Sequence, residues 1–574
     1  MNKFISTSLP QWRHTVVLGL LLASALFLIW RVIDLHVIRK DFLQGQGDAR
    51  HLRVVNIVAH RGMIMDRNGE PLAVSTPVDS VWADPGELAT GKKQWPQLAR
   101  LLGVKVNHLK KLLVKRGKSE FVYLKRHVNP DLAQKVKALG VPGVSLQREY
   151  RRYYPTGEVA GHVLGFTNID DSGQEGIELA YDDWLKGTPG KKRVIKDRMG
   201  NIVEDVESIK APSPGHDLVL SIDRRIQYLA YRELKAAVKK HKARSGSVVI
   251  LNVQTGEVLA MVNQPSFNPN NRRNLKGGRY RNRAVTDVFE PGSAIKPFTI
   301  AAALSTGKFR PNTMIQTTPG TLKVGKNLIR DRKNFGSITV STVIQKSSNV
   351  GASKIALAIP GRDLWDMFDR VGFGAVTNSG YPGESSGMLS DYRNWREIEQ
   401  ATLAFGYGLS VTPLQLARAY LVLATGGMRP SVTFLHVDPS RDVVNLGERV
   451  VSKSIASKVR KMLELVVEKG GTGQRAQVPG YHIAGKTGTA RKAGVGGYQK
   501  HEYVAVFAGM APASRPQLVM VVMINEPSNG EYYGGKVTAP VFARVMAGSL
   551  RLLNIPPDNL PSLSSKVARL GERP

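Results

Sequence analysis

The sequence predicts an α+β protein: one large C-terminal domain of antiparallel sheet and helices, preceded by an elongated mixed α/β module and one transmembrane helix. Three observations carry that expectation. TVVLGLLLASALFLIW, Thr15 to Trp30, is apolar on every face and continues past Arg31 through Val32 and Ile33. EYVAVFAGMAP from Glu502 and PQLVMVVMINEP from Pro516 are strand-length apolar runs with a short turn-rich loop between them, so they read as adjacent antiparallel strands. VTAPVFARVMAGSLRLL, from Val537, then reads as a helix whose apolar side covers that sheet.

Residues 15–33 roughly match the ~20 residues that cross a bilayer at 1.5 Å each. Lys3 and Arg13 precede the run as in a signal peptide, but no convincing small-residue cleavage site follows, which favours an uncleaved anchor behind a short arm, 1–14. Arg31, Arg39 and Lys40 follow it, so charge alone leaves the orientation open. Residues 34–215 alternate short apolar stretches with glycine, proline and charge. Within them MIM and PLAVS flank Asp66-Arg67-Asn68-Gly69, a tight hairpin signal. LARLLG and NPDLAQKVKAL read as helical pieces, and no polar cluster has catalytic spacing, so this module reads as a pedestal for spacing or docking. APSPGHD at 211–217 marks a boundary, and 216–555 form the large domain. It opens with a strand and a long helix that Asp223 is placed to cap, followed by two strands around the Thr255-Gly256 turn. Residues 556–574 read as a flexible tail.

Composition excludes more than it selects. With no cysteine, thiolate catalysis, disulfides and cysteine-held metals are ruled out. The 81 Lys and Arg against 46 Asp and Glu give +35, which suits nucleic acid, an anionic membrane surface or a diphosphate-bearing substrate. No zinc-finger spacing, aromatic-interleaved RNA motif or helix-turn-helix signal supports the nucleic-acid reading. His60, His162, His482 and His501 have no ligand spacing, and no G-x-G-x-x-G or G-x-S-x-G motif sits where its chemistry requires, so neither metal nor cofactor is expected.

One constellation points to chemistry. FEPGSAIKPF places Ser293 three residues before Lys296, on one face of a helix entered through Pro291 and Gly292. QKSSNVG supplies Ser347 and Asn349, and HIAGKTGTARK supplies Lys486, Thr487, Gly488 and Thr489 just before the paired strands. S-x-x-K, S-x-N and K-T-G in that order form a strong set, whereas each alone is common. Locally, Ser293 is a nucleophile that needs a base, and Lys296 suits that role once burial and nearby positive charge lower its pKa. NRRNLKGGRYRNR at 271–283 carries six Arg or Lys and no acid just before this helix. It reads as a solvated border of the site, or as a surface for a diphosphate or a protein partner.

RGMIMDRNGEPLA, GHVLGF and GQEGIE, with EPGSAIKPF, SSN and KTGTA, resemble the division-specific class B high-molecular-weight penicillin-binding proteins. The resemblance implies a penicillin-binding transpeptidase/serine β-lactamase-like fold. It also implies a peptidoglycan D,D-transpeptidase that cross-links septal stem peptides through an acyl-serine, and a covalent target for β-lactam antibiotics. Ser347 would relay a proton to the leaving amine, Asn349 would orient Lys296 or donate to the substrate amide, and Lys486 would supply charge for the terminal carboxylate. Thr487 and Thr489 would donate to that carboxylate, Gly488 would let substrate lie close, and the backbone N–H groups of Ser293 and Thr489 would form the oxyanion hole. Implied partners are peptidoglycan stem peptides, lipid-linked precursor strands, a septal glycosyltransferase and other division proteins. The implied location is the inner membrane, single-pass, with the catalytic domain periplasmic at the septum. The alternatives are a D,D-carboxypeptidase or β-lactamase-like hydrolase, for which Glu384 in YPGES is a conceivable deacylating residue, and a non-enzymatic β-lactam sensor or division scaffold.

Overall fold

The computed structural model describes residues 11–43, 52–117, 119, 121–196, 202–273, 278–438, 440–494 and 496–560. Most of the 1–14 arm, the tail beyond 560 and Lys276 of the basic stretch lie outside the described residues. Helix α1, Gln11–Ile33, contains the expected anchor, and the span apolar enough to cross a membrane extends over Trp12–Ile38. Asp34 falls within that span and is paired with Arg31 at 2.7 Å and Arg39 at 3.1 Å.

The chain divides into two compact units. One comprises residues 1–60, 77–151 and 187–214. It holds an antiparallel sheet of Leu52–Ile57, Gly190–Lys196 and Ile202–Lys210. A small core of Leu88, Trp95, Leu98, Leu102, Leu109 and Val136 gathers its helices.

The other unit comprises residues 61–76, 152–186 and 215–574. Position 215 therefore starts its longest piece, but two earlier segments fold with it. Its centre is a five-stranded antiparallel sheet of β1 (Ser245–Asn252), β2 (Val258–Gln264), β3 (Ala484–Gly494), β4 (Gly497–Ala511) and β5 (Leu518–Asn525), in spatial order β2-β1-β5-β4-β3. The expected pairing of the last two strands is present, with Val506 opposite Met523. Alternate residues go to opposite faces. Val248, Ile250, Phe507, Val522 and Ile524 pack against α2 (Arg224–Lys240) and the terminal helix α8 (Ala539–Leu552). Val249, Leu251, Val506, Val521 and Met523 face a larger core. That core is built from α3 (Lys296–Ser305), α4 (Val340–Lys346), α5 (Asn349–Leu357), α6 (Pro413–Ala424) and α7 (Lys453–Val467). Both faces are covered, which is why these strands read as unbroken apolar runs rather than as alternating ones.

The two early segments enter this unit through polar contacts. The Asn-Gly hairpin forms as expected: Gly69 has φ +80°, and Asp66 Oδ1 accepts from the backbone N–H of Asn68 (2.8 Å) and Glu70 (2.9 Å). Asp66 Oδ2 also accepts from Arg224 N at 3.1 Å, while Asp223 caps the same helix by accepting from Arg225 N at 2.9 Å. Arg61, 2% exposed, donates to Glu178 Oε2 at 2.8 Å and to Asp182 Oδ1 at 2.6 Å. Arg152 donates to Glu178 Oε1 at 2.6 Å and to Gly62 O at 2.8 Å. Removing one member of a buried, hydrogen-bonded ion network leaves its partners charged and unpaired. Arg61→Met is therefore expected to destabilise this unit by about 3–5 kcal/mol. Denaturant unfolding of the detergent-solubilised full chain, compared with the unsubstituted protein, measures the loss.

Candidate active site

Ser293 lies in a single tight turn, Gly292–Ile295, that runs directly into α3. Gly292 has φ +52°, and a Cβ there would stand 3.1 Å from Thr489 O. From the other side, a Cβ on Gly488 would stand 2.5 Å from Pro291 O. The serine turn and the K-T-G strand thus approach backbone to backbone, which only glycine on each side permits. This contact brings motifs almost two hundred residues apart in sequence to one place.

Lys296 is wholly buried at the start of α3. Its Nζ donates to Ser347 O at 2.7 Å, Asn349 Oδ1 at 2.8 Å and Ser347 Oγ at 3.3 Å. Lys486, also wholly buried, donates to the same Ser347 Oγ at 2.9 Å. Two amines from two motifs therefore converge on one hydroxyl. Burial, and after it the neighbouring Lys486 charge, hold the Lys296 pKa well below the usual lysine value, partly opposed by Asp331. Burial lowers that of Lys486 to about 7. Ser293 is half-buried, and the hydrogen bonds of Lys296 Nζ go to Ser347 and Asn349 rather than to it. Catalytic hydrogen bonds commonly tighten only when substrate is bound.

Ser347 itself has φ +60°, left-handed for a non-glycine residue, at the C-terminus of α4. Such backbone costs on the order of 1 kcal/mol and persists where its surroundings fix it. Asp331 helps to fix them. Its carboxylate accepts from Ser348 Oγ and Asn349 N, both at 2.5 Å, and from Val350 N at 3.1 Å, so it caps α5. Sequence reading missed Asp331, because a lone aspartate between two short strands carries no motif.

On β3, Thr487 Oγ1 shares a hydrogen bond with Thr472 Oγ1 at 2.8 Å, and Thr489 Oγ1 accepts from Gly534 N at 3.0 Å. An incoming N–H occupies a lone pair of the Thr489 hydroxyl and leaves its proton free to donate. Strand β3 ends the sheet, so among the described residues its outer edge has no neighbouring strand.

Glu384 is committed elsewhere. It accepts from Thr377 N (2.8 Å) and Oγ1 (2.6 Å), from Ser379 N (2.8 Å) and from Ser379 Oγ, which tie the 377–384 loop together. In the described part of the basic stretch, Arg281 and Arg283 each pair with Asp287 at 2.7 Å, and Arg272 stacks 4.5 Å from the Phe166 ring centroid. His162 is buried, with Nε2 2.9 Å from Arg279 O, and burial lowers its pKa to about 4.

Comparison with known families gives the same outline. Residues 246–547 match the penicillin-binding protein transpeptidase domain. The chain belongs to that family. Residues 56–220 of this penicillin-binding transpeptidase also match the penicillin-binding protein dimerisation domain. It is 47% identical over 556 residues to the peptidoglycan D,D-transpeptidase FtsI of Escherichia coli, covering 96% of this chain and 93% of that one. It is 43% identical over 556 residues to the probable peptidoglycan D,D-transpeptidase PbpC of Pseudomonas aeruginosa, covering 97% and 98%. Among solved structures, the transpeptidase domain of Burkholderia pseudomallei penicillin-binding protein 3 aligns with TM-score 0.55 and 44% identity over 60% of this chain and 98% of that one. These similarities place the penicillin-binding transpeptidase among the division-specific class B high-molecular-weight members.

The lysine pair sets a pH dependence. Only the neutral Lys296 amine accepts a proton, and its lowered pKa makes that form available well below the usual lysine range. Acylation by a β-lactam is expected to be slow in acid and to rise with pH as Lys296 loses its proton. Lys486→Met removes the neighbouring positive charge, so Lys296 holds its proton more tightly and the rising limb moves to higher pH. Stopped-flow acylation of both proteins across the pH range checks the shift.

Proposed function

We infer that Ser293 is the acylated nucleophile of this peptidoglycan D,D-transpeptidase, and that the convergence of Lys296 and Lys486 on Ser347 Oγ is the proton path it uses. Ser293 Oγ attacks the carbonyl of the penultimate D-alanine of a stem peptide while neutral Lys296 takes the hydroxyl proton. The backbone N–H groups of Ser293 and Thr489 receive the oxyanion. When the tetrahedral intermediate collapses, the D-Ala–D-Ala amide breaks, Ser347 passes a proton to the leaving amine, and an ester remains on Ser293. An amine of a neighbouring stem peptide then attacks the ester. Its proton returns to Ser293 Oγ by the same route, and the cross-link is made. Asn349 holds Lys296 in place, and Lys486, Thr487 and Thr489 receive the terminal carboxylate along β3, with Gly488 giving it room.

The protein is anchored in the inner membrane by its N-terminal helix and carries its catalytic domain in the periplasm. Its concentration at the septum, and docking to a septal glycosyltransferase, other division proteins and lipid-linked strands, belong to the same proposal. The support is the similarity to FtsI over nearly the whole chain.

The class A β-lactamase form of the hydrolase alternative requires a carboxylate free to activate water. Glu384 is occupied by four hydrogen bonds from Thr377 and Ser379, which disfavours that role for it. Intact-protein mass spectrometry with peptide mapping tests the nucleophile. One β-lactam adduct on Ser293 is expected, and none in Ser293→Ala. An adduct elsewhere would overturn the assignment. A second measurement separates transfer from hydrolysis: with donor peptide and an added acceptor amine, the cross-linked amide is expected to exceed the hydrolysed acid.

A further inference from the structure

Three residues before Ser293, the carboxyl group of Glu290 joins two segments that lie far from it in the sequence. Glu290 Oε1 accepts from Gly408 N at 2.8 Å and from Tyr498 Oη at 3.0 Å. Gly408 belongs to the loop whose Gly406 O accepts from Gly292 N at 3.2 Å, immediately before the nucleophile. That loop fits only because Gly406 is a glycine: its φ is +90°, and a Cβ would stand 2.1 Å from Gly292 O. Tyr498 lies at the start of β4, the strand paired with β3. Its ring meets Tyr407 edge to face, with centroids 5.2 Å apart, and Tyr407 Oη accepts from Arg491 N of β3 at 3.1 Å. Arg491 is two residues beyond Thr489.

A closed circuit results. It runs from the serine turn through Glu290 to Tyr498, through the Tyr498–Tyr407 ring contact to Arg491, and along β3 back to the carbonyl that abuts Gly292. Oε2 of the same carboxyl is buried and lacks a hydrogen-bond partner among the described residues. An unpaired buried carboxyl oxygen is costly, and folds tend to retain such costs beside functional sites. Burial also raises the Glu290 pKa above the ordinary glutamate value.

We propose that Glu290 is a positioning residue that holds the Ser293 turn in register with β3, so that the nucleophile and the strand facing it are fixed relative to each other before substrate binds. The proposal rests on Ser293 being the nucleophile. It concerns alignment of the attacking atom rather than affinity for the donor, because none of the side chains in the circuit is among those assigned to the terminal carboxylate, and Thr489 enters it only through its backbone carbonyl. Small misplacements of reacting atoms are expensive, about a hundredfold in rate for roughly 1 Å.

Acylation of the detergent-solubilised full chain by a chromogenic β-lactam, over a range of concentrations, separates initial binding from the acylation rate constant. Glu290→Ala is expected to lower the rate constant about 10- to 100-fold while the initial binding constant changes less than about threefold. Glu290→Gln keeps an oxygen that accepts from Gly408 N and Tyr498 Oη, and is expected to retain a rate within about fivefold of the unsubstituted protein. Tyr498→Phe removes one of the two donors without opening a cavity, and is expected to fall in between. Adding it to Glu290→Ala should cost little more, because both substitutions break one circuit. An unchanged rate in Glu290→Ala, a loss confined to binding, or a Gln variant as impaired as the Ala variant would each overturn the proposal. If Glu290→Ala does not fold, judged by its thermal unfolding midpoint, Tyr498→Phe carries the test alone, and an unimpaired rate there overturns it. Adduct mapping on the unsubstituted chain keeps the two readings apart. Labelling away from Ser293 refutes the nucleophile, whereas labelling at Ser293 with an indifferent Glu290 refutes only the positioning role.

Discussion

Two primary amines buried against one serine hydroxyl form the constraint around which the catalytic unit is arranged. Each ammonium would be favourable in water, and out of water both cannot stay charged at close range without large cost. The fold meets that cost by surrounding Lys296 Nζ with three oxygens, two from Ser347 and one from Asn349. It also places the Asp331 carboxylate close enough to oppose the loss of charge in part. The outcome is a lysine whose pKa is held well below the usual value, so that its neutral form is reached more readily than that of a lysine in solvent.

Holding that arrangement requires rigid supports on both sides. On one side α4 ends at a left-handed Ser347 and α5 begins almost at once, with Asp331 capping it, so Ser347 and Asn349 are displayed from a helix junction. On the other, β3 is backed by β4 and presents Lys486, Thr487 and Thr489 from a strand. Side chains on regular elements are held more narrowly than those on loops, and here both supports pack into the larger core. The approach of Gly292 to Thr489 O, and of Gly488 to Pro291 O, sets the serine turn directly against β3.

Much of this was legible in the sequence, and what was not follows a pattern. The anchor, the β4–β5 pair, the terminal helix, the Asp66–Gly69 hairpin and the Asp223 cap each have a local cause, apolar periodicity or a turn residue, that one sequence displays. The three sequence motifs were legible as types, and the structure brings Lys296, Ser347, Asn349 and Lys486 within hydrogen-bonding distance. Helix α6 was passed over because it is buried on nearly every side and so shows no amphipathic stripe. Its signal was a capping box instead: Thr412 Oγ1 accepts from Gln415 N at 3.1 Å, and Gln415 Oε1 accepts from Thr412 N at 2.7 Å. Asp331 and Glu290 were unreadable for a different reason. Their partners come from distant segments, and no spacing along the chain encodes a contact made only after folding.

The segments 61–76 and 152–186 have a consequence for how the chain must be made. Asp66 reaches the first turn of α2 across 158 residues, and Arg61 reaches Glu178 across 117. A nascent chain emerging from its N-terminus delivers Arg61 and Asp66 long before the residues that complete their surroundings exist. Linking distant segments adds only slowly to the loop-closure cost, so the finished state loses little stability by it. The waiting time is another matter, because a charged arginine destined for burial must stay solvated until its carboxylates arrive. Chain order and assembly order therefore differ in this protein, and a fragment that starts at position 216 begins after two of the pieces its catalytic unit is made from.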